Sequence, residues 1–490
     1  MDKGPAKGDV SGRERLLLEA ESSLRSLRLL VWLYFWLLLW EGALRKWFFP
    51  SLSAPLLIVR DPVVLLIYLI ALARGIFPIN RFIIIIGLLA AASFAASLVV
   101  FDRLGIILFG LRTNFLHLPL IFLLPELMRP KDVLRMGVWM LLLSLPMTLL
   151  VTYQFIAPSG AWINSAAGGE LGGQMVAVGE RVRPSGIFSF VTGMVSFLGV
   201  VAAFLLSGFL DKKDLPRWLC LAGIPALLLS LGVSGSRSAL ALVTIIVLAA
   251  LLVCARQFSR LSRVVTPTLL AYFAYLLLCY LPLFRAGLEV HEERFRTGGG
   301  VNQGIVTRYL GDFGESLEIA SQTPLLGRGL GIGTNAGAAL LTGSRSFLLG
   351  ESDWSRVVGE SGPILGYAYL MFRLAICLFI VRRCWSAAVR GQALPFLLIA
   401  SSGLDLVSGQ FGQPTTLGFA VLFSGLALAS IDNSTPEALP KIPPKSDRRI
   451  PGRAPLAEAL QRNSGPIINS SSSGQKNPSP GGQRSTEAGK

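Results

Sequence analysis

The chain has 490 residues, of which 52% are hydrophobic and 15% charged, and its formal net charge is +16. That balance excludes an ordinary soluble domain, whose surface needs far more charge. Lipid is therefore the solvent for most of the chain, and the basic excess is first a matter of membrane orientation rather than of nucleic acid.

A hydrocarbon core of roughly 30 Å takes about 20 apolar residues per helix. Runs of that kind fall near 27–44, 56–73, 82–101, 104–127, 133–156, 187–210, 217–233, 238–254, 265–284, 357–381, 394–410 and 415–431. Each is continuously apolar without period-two alternation, so the expected fold class is all-α, a polytopic membrane protein of about twelve transmembrane helices. The first run follows a charged N-terminus without a small-x-small cleavage site and reads as a retained anchor. Short even-numbered connections carry Arg74 and Arg81; Arg129, Lys131 and Arg135; Lys212, Lys213 and Arg217; Arg256, Arg260 and Arg263; and Arg382, Arg383 and Arg390. Short odd-numbered connections carry about half as many, which puts both termini in the cytoplasm.

The expected organisation is a cytoplasmic N-terminus over 1–26, helices one to five over 27–156, and an outer loop with helices six to nine over 157–284. A large extracytoplasmic loop follows over 285–356, then helices ten to twelve over 357–431 and a tail over 432–490. The tail is rich in Ser, Pro, Gly, Lys and Arg with no apolar periodicity, the composition of a disordered cytoplasmic segment that touches anionic lipid rather than nucleic acid. Cys220, Cys254, Cys279, Cys377 and Cys384 lie in or beside the apolar runs and form neither a disulfide framework nor a CxxC metal site. Loops as long as 157–186 and 285–356 are uncommon unless functional or disordered. The larger has helical spacing from Val306 to Ile319, then a Pro-Leu-Leu-Gly turn at 324–327 and the glycine-rich GRGLGIGTN at 327–335, whose backbone N–H groups could cradle an anion.

Polar residues at the outer ends of helices and in the outer loops are the chemical candidates. Arg183 precedes helix six, Arg237 sits in the turn between helices seven and eight, Arg308 and Arg328 lie in the large loop, and Arg356 lies at the mouth of helix ten. Arginine presents a planar fork of donors that binds phosphate oxygens bidentately and stays charged, so a group of them beside lipid suggests a phosphorylated lipid. Glu351, Asp353 and Glu360 supply carboxylates on the same side, Glu351 as a general base or simply as a helix cap. His117 reads as a satisfied core residue and His291 as a solvated loop residue.

Four stretches at these positions resemble the O-antigen ligase and polymerase family of bacterial surface-polysaccharide enzymes. They are Arg183-Pro-Ser-Gly-Ile-Phe188, Ser234-Gly-Ser-Arg-Ser-Ala239, Pro324-Leu-Leu-Gly-Arg-Gly329 and Glu351 to Gly362, in the family's order. The likeness covers roughly 180–380 well, and the first five helices only in topology. In ligases the last stretch reads His-Asn-x-x-Leu with Gly six residues later; here Glu351 stands at the His position and Ser355 at the Leu position, while Glu360 and Gly362 keep the spacing. The resemblance implies transfer of a glycan from undecaprenyl pyrophosphate to an acceptor hydroxyl of a glycan, lipid or protein. It further implies the outer face of the bacterial inner membrane, no metal or cofactor, and inversion at the anomeric carbon. On that plan Arg183, Arg237, Arg308 and Arg328 bind the donor pyrophosphate and Glu351 is the base, with Asp353, Arg356 and Glu360 in reserve. A polymerase is the rival within the family, and a non-catalytic export scaffold or a lipid-linked sugar transporter lies outside it. The transporter would need charges deep in several helices, whereas the sequence reads as polar mainly at the outer ends.

The charge asymmetry fixes an orientation that reporter fusions can read. Fusions at residues 213, 385 and 470 are expected to report cytoplasm and fusions near 170 and 300 the outer side; a cytoplasmic report at 300 would put every candidate in the wrong compartment.

Overall fold

The computed structural model describes residues 7–178, 181–211, 215–256, 261–297, 300–342, 349–350 and 352–432. The chain runs through α1 (Lys7–Ala43), α2 (Ser53–Leu56), α3 (Asp61–Ala73), α4 (Arg81–Val100), α5 (Leu104–Leu111), α6 (Leu120–Leu127) and α7 (Pro130–Ile156). A short hairpin follows, β1 (Val176–Val178) pairing antiparallel with β2 (Arg181–Val182). Then come α8 (Val191–Leu210), α9 (Arg217–Val233), α10 (Arg237–Arg256), α11 (Leu261–Leu278), α12 (Pro282–Thr297), α13 (Gly300–Gln322) and α14 (Asn335–Thr342). The last three are α15 (Asp353–Val389), α16 (Ala393–Ser408) and α17 (Pro414–Ala429).

This is an all-helical, multi-pass architecture. Among the described residues seven helical segments are long and apolar enough to cross a membrane, or nine if two bent pairs each count once; α9, α16 and α17 are apolar but shorter. Helices occupy all twelve apolar runs, and their ends follow local chemistry. Asn80 caps α4 by accepting the Ile83 N–H at 3.0 Å, and Ser352 caps α15 by accepting the Ser355 N–H at 3.1 Å. Proline opens α7, α12 and α17, where its missing N–H costs nothing. Burial separates centre from rim: 78% of the apolar window of α8 is buried against 22% for α4, so α8 is a central helix and α4 shows most of its surface to lipid.

Three breaks shape the bundle. The α5–α6 pair bends by 45° through a π-helical turn at Arg112–Leu116, and α12 turns 101° from α11. The large loop of the sequence is accordingly helical in α12, α13 and α14. The third break, inside α15, is the sharpest. Gly362 has φ 79° and ψ 166°, outside helical space, and Pro363 follows it without an N–H. In a straight helix Asp353 and Arg373 would stand about 30 Å apart, yet their side chains are ion-paired. Residues 353–361 therefore fold back along the long arm that begins at Pro363.

The broken turn is completed from the glycine-rich segment. Arg328 N–H donates to Gly359 O and Gly329 N–H to Glu360 O, both at 3.0 Å, giving partners to two carbonyls left open where Pro363 lacks an N–H and the helix breaks. Gly327, at φ 79°, passes so close that a Cβ there would stand 2.2 Å from Glu360 O.

Gly362→Ala would place its Cβ 2.1 Å from Leu325 O in a conformation that alanine avoids. Backbone strain alone costs about 1–3 kcal/mol, so the variant is expected to lose several degrees of apparent melting temperature in detergent. Gly314→Ala, in open space on α13, is the control that leaves stability unchanged or raises it.

Candidate functional site

The four resembling stretches meet in two pairs. In the first, the hairpin delivers Arg183, whose N–H donates to Met175 O at 2.8 Å. The stretch beyond it is held from two sides. Gln154 accepts the Gly186 N–H at 2.8 Å and donates back to Gly186 O at 3.2 Å. The buried Lys46 ammonium donates to Ser185 Oγ at 2.9 Å, Gly186 O at 3.0 Å and Phe188 O at 3.3 Å. Its three N–H donors thus meet three oxygens, which is what makes a cation tolerable there.

The Ser234–Ala239 turn lies against this segment. Ser234 Oγ accepts the Ser236 N–H at 3.2 Å, and Ser236 Oγ accepts the Ala239 N–H at 3.4 Å, starting α10 at Arg237. Gly235 is the meeting point. Arg183 Cγ lies 3.9 Å from where a Gly235 Cβ would stand, and Arg294 of α12 donates from Nη1 to Gly235 O at 3.0 Å. Arg237 is close enough for its charge to act on Arg294. Three half-buried guanidinium groups thus surround one turn. Arg294 was not among the sequence candidates; the signal was the helical run Glu292-Glu-Arg-Phe-Arg296, which the assignment of a loop concealed.

His291 corrects a sequence expectation. It is buried rather than solvated, because the bend before α12 lays that helix against the end of α9, where Gly287 leaves room for Gly232 O. His291 Nε2 lies 2.9 Å from Leu231 O, while Nδ1 is buried with no hydrogen-bond partner among the described residues.

The second pair joins the glycine-rich segment to the folded-back arm of α15. The anion cradled there is the protein's own carboxylate: Gly333 N–H donates to Glu360 Oε1 at 3.0 Å, and Arg356 Nη1 donates to Oε2 at 2.8 Å. Arg356 also donates from Nε to Asp353 Oδ1 at 2.9 Å and from Nη2 to Asn114 Oδ1 at 2.9 Å. Asp353 pairs with Arg373 as well and accepts the Phe411 N–H at 3.2 Å. Arg373 completes its fork on Leu406 O at 2.8 Å and Gly409 O at 3.1 Å, stacked over the Phe411 ring. Asp353, Glu360, Arg356 and Arg373 balance in charge and are all buried.

Another buried network joins α1, the start of α3 and the α5–α6 bend. Glu41 meets Arg45 at 3.3 Å and Arg60 at 3.2 Å, and Arg60 reaches Tyr34 Oη at 3.3 Å and the Pro414 carbonyl. Tyr34 meets His117 Nδ1 at 3.1 Å, His117 Nε2 donates to Asp61 at 3.0 Å, and Arg112 pairs with Asp61 at 2.6 Å. His117 is a satisfied core residue. Polar groups are therefore not confined to the outer ends: Arg112 and Arg373 lie well inside apolar segments. Single charges interrupting such runs gave no sign of their partners, which come from distant parts of the chain.

Of the remaining candidates, Arg328 is exposed and donates to Gln322 O at 3.3 Å. Arg308 lies on α13, with its side chain outside the described residues, as is Glu351 altogether. Compared with protein-family models and with curated proteins, the chain gives no match.

Asp353→Asn leaves Arg373 and Arg356 short of one buried negative charge, and breaking a buried pair costs about 3–5 kcal/mol. The variant is expected to melt well below wild type or fail to accumulate. Replacing the pair together, as Asp353→Leu with Arg373→Met, is expected to recover part of that loss, read by heating followed by fluorescence-detected gel filtration.

Proposed function

We propose that this chain is a membrane glycan transferase of the O-antigen ligase and polymerase type. It crosses a bacterial inner membrane about twelve times, keeps both termini in the cytoplasm and works on the outer face. Its donor is a saccharide carried on polyprenyl pyrophosphate, and its acceptor is a hydroxyl of a glycan, lipid or protein. The observation that carries the reading is the meeting at Gly235, where Arg183 and Arg237, from two of the four resembling stretches, are joined by Arg294.

In the transfer the acceptor oxygen bonds to the anomeric carbon from the face opposite the leaving group, which inverts that centre. The C–O bond to pyrophosphate breaks with its electron pair passing to a phosphate oxygen, and the hydroxyl proton passes to a base. Negative charge thus grows on a phosphate that is already a good leaving group. The main demand on the protein is fixed positive charge at that oxygen. Guanidinium groups meet it, since they stay protonated and grip two oxygens at once. The resemblance puts the proton acceptor at Glu351.

A second reading, carriage of lipid-linked sugars across the bilayer, draws on the buried charges of Arg60, Asp61, Arg112 and Arg373. Each of these already meets an opposite charge or a carbonyl within the protein, which favours a structural role. A polymerase would use the same donor site with a second lipid-linked repeat as acceptor.

Arg237→Lys keeps the charge and loses the fork. Glycan transfer from a polyprenyl pyrophosphate donor in proteoliposomes is expected to fall by roughly 10²–10³-fold, with membrane insertion unchanged. Near-normal transfer would reduce Arg237 to an interfacial anchor and remove the main support for the reading.

A further inference from the structure

The arginines at Gly235 account for a phosphate and leave His291 without a task. Its geometry is informative. A carbonyl oxygen only accepts, so the 2.9 Å contact with Leu231 O fixes the proton on Nε2. Nδ1 of the neutral ring is then a bare lone pair, and it is buried with no partner among the described residues. Such a group is costly to leave unmet, so its persistence calls for a ligand or a function. The ring is also held in place. Gly287, one helical turn before His291, packs on Gly232 O, and Val290 Cγ1 lies 3.4 Å from the Cβ position of Gly235. Arg183 and Arg294 are near enough for their charges to act on the imidazole.

Those neighbours decide what Nδ1 can receive. Burial first, and then the charges of Arg294 and Arg183, oppose protonation in the resting state and keep the lone pair unprotonated. A phosphate oxygen is also an acceptor and cannot bond to a bare nitrogen, whereas a hydroxyl can. Phosphate on the guanidinium groups and a hydroxyl on the imidazole are the two reactants of a transfer to a hydroxyl.

We infer that His291 Nδ1 is the proton acceptor for the incoming hydroxyl, the task that the sequence assigned to Glu351. The assignment rests on the transferase reading above. As the acceptor oxygen bonds to the anomeric carbon, its O–H bond breaks, the proton moves to Nδ1, and the glycosidic electron pair leaves with the pyrophosphate. The imidazolium so formed stands beside the departing anion and later returns its proton to water.

His291→Gln is the first test, because a glutamine amide can still donate to Leu231 O while offering no basic nitrogen. In proteoliposomes its kcat is expected to fall by roughly 10²–10⁴-fold, with KM for the lipid-linked donor and binding of farnesyl pyrophosphate unchanged. A kcat within about threefold of wild type overturns the assignment. A second test needs no variant, since the chain has two histidines and both nitrogens of His117 are engaged. Diethyl pyrocarbonate attacks an unprotonated imidazole nitrogen, so transfer by the wild-type protein is expected to decay in step with carbethoxylation mapped to residue 291 and to return with hydroxylamine. Full activity after residue 291 is modified overturns the assignment. So does a residue 291 that stays unmodified during turnover, because a hydroxyl could not reach it either. A wild-type chain that neither binds farnesyl pyrophosphate nor transfers glycan overturns the transferase reading, and the assignment with it; normal transfer by His291→Gln overturns the assignment alone.

Discussion

A carboxylate taken out of water among apolar helices needs a partner inside the protein, and for Asp353 that partner stands twenty residues along the same helix, at Arg373. The contact is possible only if the helix turns back on itself, which puts the reversal at Gly362 and Pro363. The proline and the reversal leave two carbonyls without helical donors, and residues 328 and 329 supply them. That in turn sets the glycine-rich segment close enough for Gly333 to bond to Glu360. One ion pair thus governs the shape of the folded-back arm, the seat of the glycine-rich segment and the orientation of Arg356.

The charged groups stand in two kinds of setting. Around Asp353 and Glu360 positive and negative groups balance, every fork is spent on the protein itself, and the result is scaffolding. Around Gly235 three half-buried guanidinium groups gather on a turn whose backbone is fixed by serine hydroxyls and whose neighbours are held by Lys46 and Gln154. A rigid support for donors is what recognition of a developing anion requires. The glycine-rich segment, which has the look of an anion cradle, belongs to the first kind, because Glu360 fills it.

Much of the architecture was legible in the sequence because lipid imposes a simple rule: a run of apolar residues of sufficient length has one stable form. The helical spacing at Val306–Ile319 was legible for a similar reason. Pairings across long separations were not. Nothing local to Arg112 names Asp61, and nothing local to Arg373 names Asp353. The run at 357–381 reads as one continuous helix although it contains Gly362 and Pro363, and how far a chain turns at such a pair is set by tertiary contacts. His291 was misjudged and Arg294 passed over for one reason: their charged neighbours resemble those of a solvated loop, while the bend at the start of α12 buries His291 and half-buries Arg294.

The long reach of these pairings bears on how the protein is made. Arg60 finds a carbonyl at Pro414, 354 positions later, and Arg373 completes its fork on Leu406 and Gly409. Helices leave the ribosome in order, so an early span enters the membrane with its guanidinium only partly met, relying on Glu41 until α17 arrives. Gly418 keeps the space that the waiting side chain will occupy, since a Cβ there would collide with it. α17 thus completes the acceptors of Arg60. A nascent chain stopped short of it would hold a buried guanidinium N–H donor without its acceptor, the kind of defect by which cellular quality control distinguishes an unfinished membrane protein from a finished one.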